Sequence, residues 1–155
     1  MKKENNHKQT ENKKIAYPSF IKRENDDYLV FVPDLEIYTE GISLADAIDM
    51  ARDAIGLKGI SLEDDNQVLP QPSSSEQAIA KAVKDADEDF DYSSGLLTYV
   101  DVDFSEYRLR HDNRMVRRNV TLPCWLNYAA DKAQLNVSKV LQEALKETLS
   151  INNIS

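Results

Sequence analysis

A short run of strand-forming residues near the carboxyl end has no second strand close to it in the sequence. Residues 116–122 mix β-branched and apolar types, and Val120 and Leu122 fall on one face of an extended chain. A lone strand cannot satisfy its own backbone N–H and C=O groups. Antiparallel pairing with the same strand of a second copy would satisfy them. The sequence therefore predicts a homodimer built through this strand.

Two helices are predicted directly after the strand. Pro123 suits the first helical position, because its missing N–H is not needed there, and this helix runs to about Ala133. Asn136 is a favoured N-cap for the second helix, whose apolar residues recur at helical spacing. The residues expected to form the dimer core are Val120, Leu122, Leu126, Val140, Leu141, Ala144 and Leu145.

The polar face of the paired strands has the residue types that read DNA bases. A two-stranded ribbon fits the major groove. There Arg117 can bond guanine, Asn119 can bond adenine, and Thr121 can offer its own hydroxyl or methyl group to a base. An ordinary solvent-facing strand is the alternative, but the helical unit behind it favours DNA binding. Arginines and the first amides of a helix are common phosphate ligands. Those expected here are Arg118, Arg114, Val137 and Ser138.

Charge is divided along the chain. Residues 15–105 hold six basic and twenty acidic side chains, whereas residues 106–155 hold eight basic and five acidic ones. Five of the seven arginines lie within residues 108–118. The net charge of −8 therefore conceals two regions of opposite sign. This segregation predicts one domain for DNA and one for a basic protein partner.

The acidic region predicts a small α+β domain. Strands are expected at residues 15–23, 28–35 and about 36–40, and Pro18 favours an edge position for the first. Residues 96–104 alternate as a last, half-buried strand.

Two helices are expected between the third and last strands. Ser43 caps the first, which is predicted to end at Gly56 and Gly59. A loop at residues 61–75 follows, and Ser73 with Glu76 has the spacing of a capping box for the second helix. The predicted order is β-β-β-α-(α)-β.

The resulting organisation is a mobile tail at residues 1–14, an α+β domain at 15–104, a linker at 105–114 and a carboxy-terminal unit at 115–150. No membrane span, secretory signal, metal-ligand spacing or phosphate-binding glycine loop appears, so no membrane, metal or cofactor is expected. The single Cys124 is consistent with a reducing, cytoplasmic location.

Two parts of the sequence resemble HicB-type antitoxins. RRNVTLPCWLNYAADKAQLNVSKVLQEAL is similar to the ribbon-helix-helix DNA-binding domain that ends them. YPSFIKRENDDYLVFVPDLEIYTEGISLADAIDMARDAIGL and VDVDFSEYRLRHDNRMVRRN resemble their amino-terminal domain. The family often has a glycine where this chain has Gln134, and many members have a Pro-Gly turn near residues 36–38, where this chain has Glu-Ile-Tyr.

The resemblance implies a fold and two partners. The amino-terminal domain would have a truncated, partly RNase H-like fold and would bind a small basic HicA-type toxin that cleaves mRNA, covering its active face. The carboxy-terminal domain would form a homodimer, or a higher oligomer built from it, on double-stranded operator DNA and so repress the operon. The residues guessed to contact the toxin are Tyr28, Asp34, Glu36 and Tyr38.

Two other functions remain open from the sequence. One is a stand-alone ribbon-helix-helix repressor whose acidic domain senses a ligand or makes oligomers. The other is a metal-dependent nuclease that would use the carboxylates of Asp34, Asp101 and Asp103. Alternation with Val100 and Val102 explains the last two as ordinary outward-facing residues, and no catalytic residue is predicted.

Overall fold

The computed structural model describes residues 14–151, which divide into two compact units. One unit extends to Arg108 and the other begins at Leu109. The predicted tail, residues 1–14, lies outside the described residues except for Lys14. The domain boundaries drawn from the sequence stay a prediction. None of the helices within residues 14–151 combines the length and apolar character that a membrane span needs.

The first unit is built on a four-stranded antiparallel sheet. Its strands are β1 (Lys14–Glu24), β2 (Asp27–Val32), β3 (Ile37–Gly41) and β4 (Leu96–Asp103). Their order across the sheet is β3-β2-β1-β4. The predicted α+β class is confirmed, and the third strand begins one residue later than expected.

The prediction that the first strand lies at an edge is wrong. β1 is central and pairs with both β2 and β4. However, its register with β4 covers residues 14–21, whereas its register with β2 begins only at Phe20. Pro18 therefore lies where β1 has one neighbour, and its missing N–H removes no hydrogen bond from the ladder with β2.

Two helices cover opposite faces of the sheet. Helix α1 (Leu44–Asp64) packs on one face, and helix α2 (Ser75–Asp85) packs on the other. Both use small residues at the contact, since Ala47 and Ala51 of α1 and Ala78 and Ala82 of α2 are buried. The larger core includes Tyr17, Ile21, Val30, Val32, Leu35, Ile55, Val100, Val102 and Phe104.

Helix α1 does not end at Gly56 and Gly59 as predicted, and it continues into the expected loop. Helix α3 (Phe104–His111) occupies much of the expected linker, and its aromatic rings lie against these two glycines. A Cβ atom added at Gly59 would overlap the ring of Phe104, and one at Gly56 would overlap the ring of Tyr107. Both glycines therefore make room for neighbouring rings and do not terminate the helix.

The capping box of α2 lies one residue later than predicted. Ser74 Oγ accepts from the Gln77 N–H at 3.3 Å, and the Gln77 side chain accepts from the Ser74 N–H at 3.0 Å. Ser73 is not the cap, because its N–H and hydroxyl donate instead to Asp34. Ser43 caps α1 as expected, accepting from the Asp46 N–H.

The second unit contains helices α4 (Cys124–Lys132) and α5 (Val137–Thr148). The predicted N-cap of α5 is confirmed, since the Asn136 side chain accepts from the Lys139 N–H at 3.1 Å. Pro123 immediately precedes α4, whereas it was expected inside it. Gln134 has a φ of 53°, a left-handed conformation that glycine adopts more easily.

The expected strand at residues 116–122 is absent from the single chain. Residues 112–123 form neither helix nor strand. A strand exists only when a neighbour receives its hydrogen bonds, and residues 109–151 supply no such neighbour. Whether the segment becomes a strand in a dimer stays a prediction.

Candidate functional site

The second unit exposes the residues predicted to read DNA. Arg117, Asn119 and Thr121 lie on the segment that precedes α4, and all three are exposed. Arg118, a predicted phosphate ligand, is exposed beside them. Within residues 14–151, these four side chains have no hydrogen-bond or ion-pair partner. The segment therefore presents two positive charges and two hydrogen-bonding groups to solvent.

Two of the arginines that precede this segment in the sequence have carboxylate partners. Arg114 makes a bidentate ion pair with Asp112, in which Nε–Oδ1 and Nη2–Oδ2 are both 2.7 Å. A phosphate would have to compete with this carboxylate. Arg108 belongs to the first unit, where its guanidinium donates to Glu63 and Asp64 of α1 at 3.1 Å.

The start of α5 has the geometry expected of a phosphate site. Val137 and Ser138 occupy the first two positions of the helix, and amides at those positions have no intrahelical acceptor. Asn136 satisfies only the third amide, that of Lys139. The positive end of the helix dipole lies at the same place.

The apolar residues predicted to form the dimer core are not covered in the single chain. No residue of α4 or α5 is buried, and Val120, Val140 and Leu145 are 53%, 49% and 47% exposed. Leu126 is also exposed, Ala144 lies on the same open face of α5, and Leu122 and Leu141 are only half-buried. The second unit thus has amphipathic helices but no closed core of its own.

In the first unit, Asp34 is the centre of a buried polar network. Its side chain is 0% exposed. It accepts hydrogen bonds from the Ser73 N–H at 2.8 Å, the Ser73 hydroxyl at 2.5 Å and Lys81 Nζ at 2.6 Å. Lys81 also donates to the Ser73 hydroxyl oxygen at 2.9 Å. The network fixes the loop before α2 to the end of β2.

The network also sets the charge state of its members. Burial alone would raise the pKa of Asp34, but the hydrogen bonds from Lys81 and Ser73 outweigh it and hold the pKa below its ordinary value. Burial and the nearby Asp34 charge raise the pKa of Tyr17 to about 12. Asp34 is therefore a structural anion at neutral pH.

The four residues guessed to contact a toxin have different environments. The Asp34 carboxylate is enclosed by Ser73 and Lys81, and its contact with a toxin stays a prediction. Tyr28 is half-buried and packs against the larger core. Glu36 and Tyr38 are exposed, and Glu36 has a left-handed φ of 52° at the turn before β3.

Each carboxylate considered for a nuclease site is held by a different set of partners. Asp101 pairs with Lys14 at 3.0 Å and with Arg52 at 3.5 Å. Asp103 accepts from the Glu106 N–H at the start of α3, and Asp34 is held by Ser73 and Lys81. Among residues 14–151, no group of three or more His, Cys, Asp or Glu side chains is arranged to hold a metal ion.

An aromatic cluster beside Tyr38 was missed by the sequence reasoning. Tyr38 stacks on Phe31 with ring centroids 4.7 Å apart, and Tyr92 packs on Phe31 at 5.3 Å. Phe90 meets Tyr92 edge to face at 4.6 Å. In the sequence, residues 85–95 are rich in acidic and turn-forming types. The signal that was overlooked is the pair of aromatic residues two positions apart within this segment.

Comparisons with known proteins match most of this chain. The model of a family described as HicB-like antitoxin of bacterial toxin–antitoxin systems matches residues 17–145. A 14.9 kDa protein from the rep–hol intergenic region of Haemophilus phage HP1 (strain HP1c1) is 28% identical over 119 residues, covering 76% of this chain and 80% of the phage protein.

Two solved structures match most of the length of this chain. A chain from a toxin–antitoxin complex of Streptococcus pneumoniae is 25% identical, with a TM-score of 0.54 and coverage of 87% of this chain and 99% of that one. The antitoxin HicB of Burkholderia pseudomallei is 23% identical, with a TM-score of 0.49 and coverage of 90% and 99%.

Replacement of Asp34 should destabilise the first unit in a pH-dependent way. Asp34→Asn should lower the free energy of unfolding at pH 7 by about 1.5–3 kcal/mol, because charged hydrogen bonds inside the protein are lost. The pKa of Asp34 is lowered by folding, so its contribution is present above the ordinary value of 3.8 and is lost as the pH falls through the folded value. Urea unfolding followed by circular dichroism measures both effects.

The matched control for this substitution is Asp49→Asn. The Asp49 carboxylate is exposed and pairs only with Arg52 one helical turn away, so the change should be close to zero. A gap between wild type and Asp34→Asn that stays constant from pH 7 to below pH 3.8 would contradict the role assigned to Asp34.

Proposed function

This chain belongs to the HicB-like antitoxin family of bacterial toxin–antitoxin systems, and we propose that it has two activities. Its acidic first unit binds and neutralises a small basic HicA-type toxin that cleaves mRNA. Its second unit dimerises as a ribbon-helix-helix domain and binds operator DNA, so that the protein represses its own operon. The observation that carries the proposal is that one family match spans both units.

The toxin-binding half rests on likeness and on charge. The similar chain from Streptococcus pneumoniae belongs to a structure described as a toxin–antitoxin complex. In this chain, residues 15–105 carry twenty acidic and six basic side chains, which suits a basic protein partner. Binding that covers the toxin's active face would inhibit it by excluding RNA, so no catalytic group is required of the antitoxin.

The DNA-binding half of the proposal rests on backbone groups and an apolar face that have no partner in the described part of the second unit. The segment before α4 has unpaired backbone groups and exposed Arg117, Asn119 and Thr121. The apolar stripe of α5 is uncovered. Pairing two copies through residues 116–122 would satisfy the backbone and bury the stripe together, and it would place the three polar side chains on one outer face. Such a ribbon fits the major groove.

The first test concerns the toxin. Expressed together with a HicA-type toxin, the chain should co-elute with the toxin and stop its cleavage of RNA. Arg117→Ala protein is the matched control and should bind equally well, since the change lies in the other unit. A chain that never forms the complex would favour the alternative of a stand-alone repressor.

The second test concerns the dimer. Leu145→Glu should raise the dimer dissociation constant roughly a hundredfold or more, because a charge buried in an apolar interface costs several kcal/mol. Sedimentation equilibrium measures the change. Lys146→Glu places a negative charge on the face of α5 opposite the apolar stripe and should leave the dimer intact. Wild-type protein that is monomeric at every concentration would defeat the proposal.

The third test concerns base reading. Arg117→Ala should weaken binding to the DNA upstream of the operon by about 1–3 kcal/mol and relax the base preference at one position of each half-site. Fluorescence anisotropy at constant salt measures the affinity. Arg23→Ala removes an exposed arginine from the first unit and should have little effect. Equal binding by wild type and Arg117→Ala would mean that the strand register is wrong.

A further inference from the structure

A cleft of about 530 Å³ opens in the first unit on the side of the sheet that carries α2. Three aromatic residues line it, namely Tyr38 from β3 and Phe90 and Tyr92 from the segment before β4. The charged residues that line it are Glu24, Asp85, Asp87 and Asp89. Aromatic walls and carboxylates therefore meet in one cavity.

The aromatic walls are held in place by contacts within the unit. Tyr38 stacks on Phe31, and its hydroxyl donates to Asp85 Oδ1 at 2.6 Å. Tyr92 lies 6.0 Å from Tyr38 and 4.6 Å from Phe90, measured between ring centroids. Because the rings are already positioned, a guest would lose little affinity to their ordering.

The charge of this cleft has one sign. Every charged side chain that lines it is a carboxylate. A larger, adjoining cleft of about 870 Å³ shares Tyr38 and Asp85 with it and differs in that Lys58, Lys81 and Lys84 also line it. In the smaller cleft, the hydrogen bond to Asp85, together with burial and the negative charge nearby, raises the pKa of Tyr38 to about 12.

Two of the four carboxylates at the rim are available to a guest. Asp85 is engaged by Tyr38, and Asp87 accepts from the Asp89 and Phe90 amides. Glu24 and Asp89 have no side-chain partner within residues 14–151.

One cation of the chain already uses an aromatic face at this place. Lys22 Nζ lies 4.6 Å from the centroid of the Phe90 ring and donates to the Asp91 carbonyl oxygen at 3.0 Å. It does not line the cleft. The contact is independent of the carboxylates and indicates that this aromatic group accommodates positive charge.

We propose that the cleft receives an arginine side chain of the basic toxin, an inference that rests on the proposed function. A guanidinium is flat, so it stacks on aromatic rings, and its N–H groups donate in pairs to carboxylates. Tyr38, Phe90 and Tyr92 supply the rings, and Glu24 and Asp89 supply the free acceptors. The cleft is thus the anchor point of the toxin interface on the acidic unit.

The first arm of the test uses a small probe on the full chain. Titration with N-acetyl-arginine methylamide should shift the NMR signals of the Tyr38, Phe90 and Tyr92 rings, with saturation at millimolar concentrations. The neutral analogue N-acetyl-citrulline methylamide has nearly the same shape and should shift them much less. Equal shifts with both probes, or none with either, would overturn the assignment of the cleft.

The second arm uses the toxin. Neutralising the free acceptors with Glu24→Gln and Asp89→Asn should weaken toxin binding about tenfold or more, because paired interface charges are lost. Asp65→Asn with Glu76→Gln removes two exposed carboxylates elsewhere on the unit and should change the affinity less than about threefold. Circular dichroism checks that both proteins fold.

The two arms separate the inference from the proposed function. Toxin binding by wild type and by the Glu24→Gln, Asp89→Asn protein with equal affinity would overturn the cleft as the anchor and leave the antitoxin function standing. A wild-type chain that binds no toxin would defeat the proposed function and, with it, the toxin as the source of the arginine. The probe titration would then still decide whether the cleft binds a guanidinium.

Discussion

Both units are governed by the same constraint, which is that an apolar face and an unpaired backbone edge must each be covered. The first unit meets it within one chain, since α1 and α2 cover the two faces of the sheet and bury Val30, Val32 and Phe31. The second unit does not, because no residue of α4 or α5 is buried. This difference is why we infer a stable acidic platform and a DNA-binding unit that is completed only by a second copy.

Sequence reasoning succeeded where the signal was local. Asn136 as the cap of α5 and the alternation that buries Val100 and Val102 were read directly, because spacing and capping depend on near neighbours. It failed where a distant residue decided the outcome. Gly59 was predicted to end the helix, but it lies against the ring of Phe104 in α3, and a contact between residues so far apart in the chain has no local signal. Pro18 looked like an edge residue until the registers of β2 and β4 were known.

The candidate site follows the same pattern. Residue types and alternation were enough to select Arg117, Asn119 and Thr121, and the structure leaves all three exposed, but their role depends on a partner that one chain does not contain. The sequence alone could not show which acidic and aromatic residues of the first unit are exposed to a partner. Asp34 and Tyr38 are close in sequence, yet the first is enclosed by Ser73 and Lys81 and the second faces solvent. Phe90 and Tyr92 could be assigned to this cluster only from the ring contacts that Tyr92 makes with Tyr38 of β3 and with Phe90.

The charges of the two units differ in the sense that our proposal requires. Residues 15–105 carry twenty acidic side chains against six basic ones, which disfavours the approach of phosphate groups. In the second unit, Arg117 and Arg118 are exposed and have no carboxylate partner within residues 14–151, so they are the charges open to a phosphate. We infer that charge sorts the two kinds of partner, whereas selection among basic proteins requires fixed geometry. The rings around Tyr92 have such geometry, because they are packed against one another within the unit.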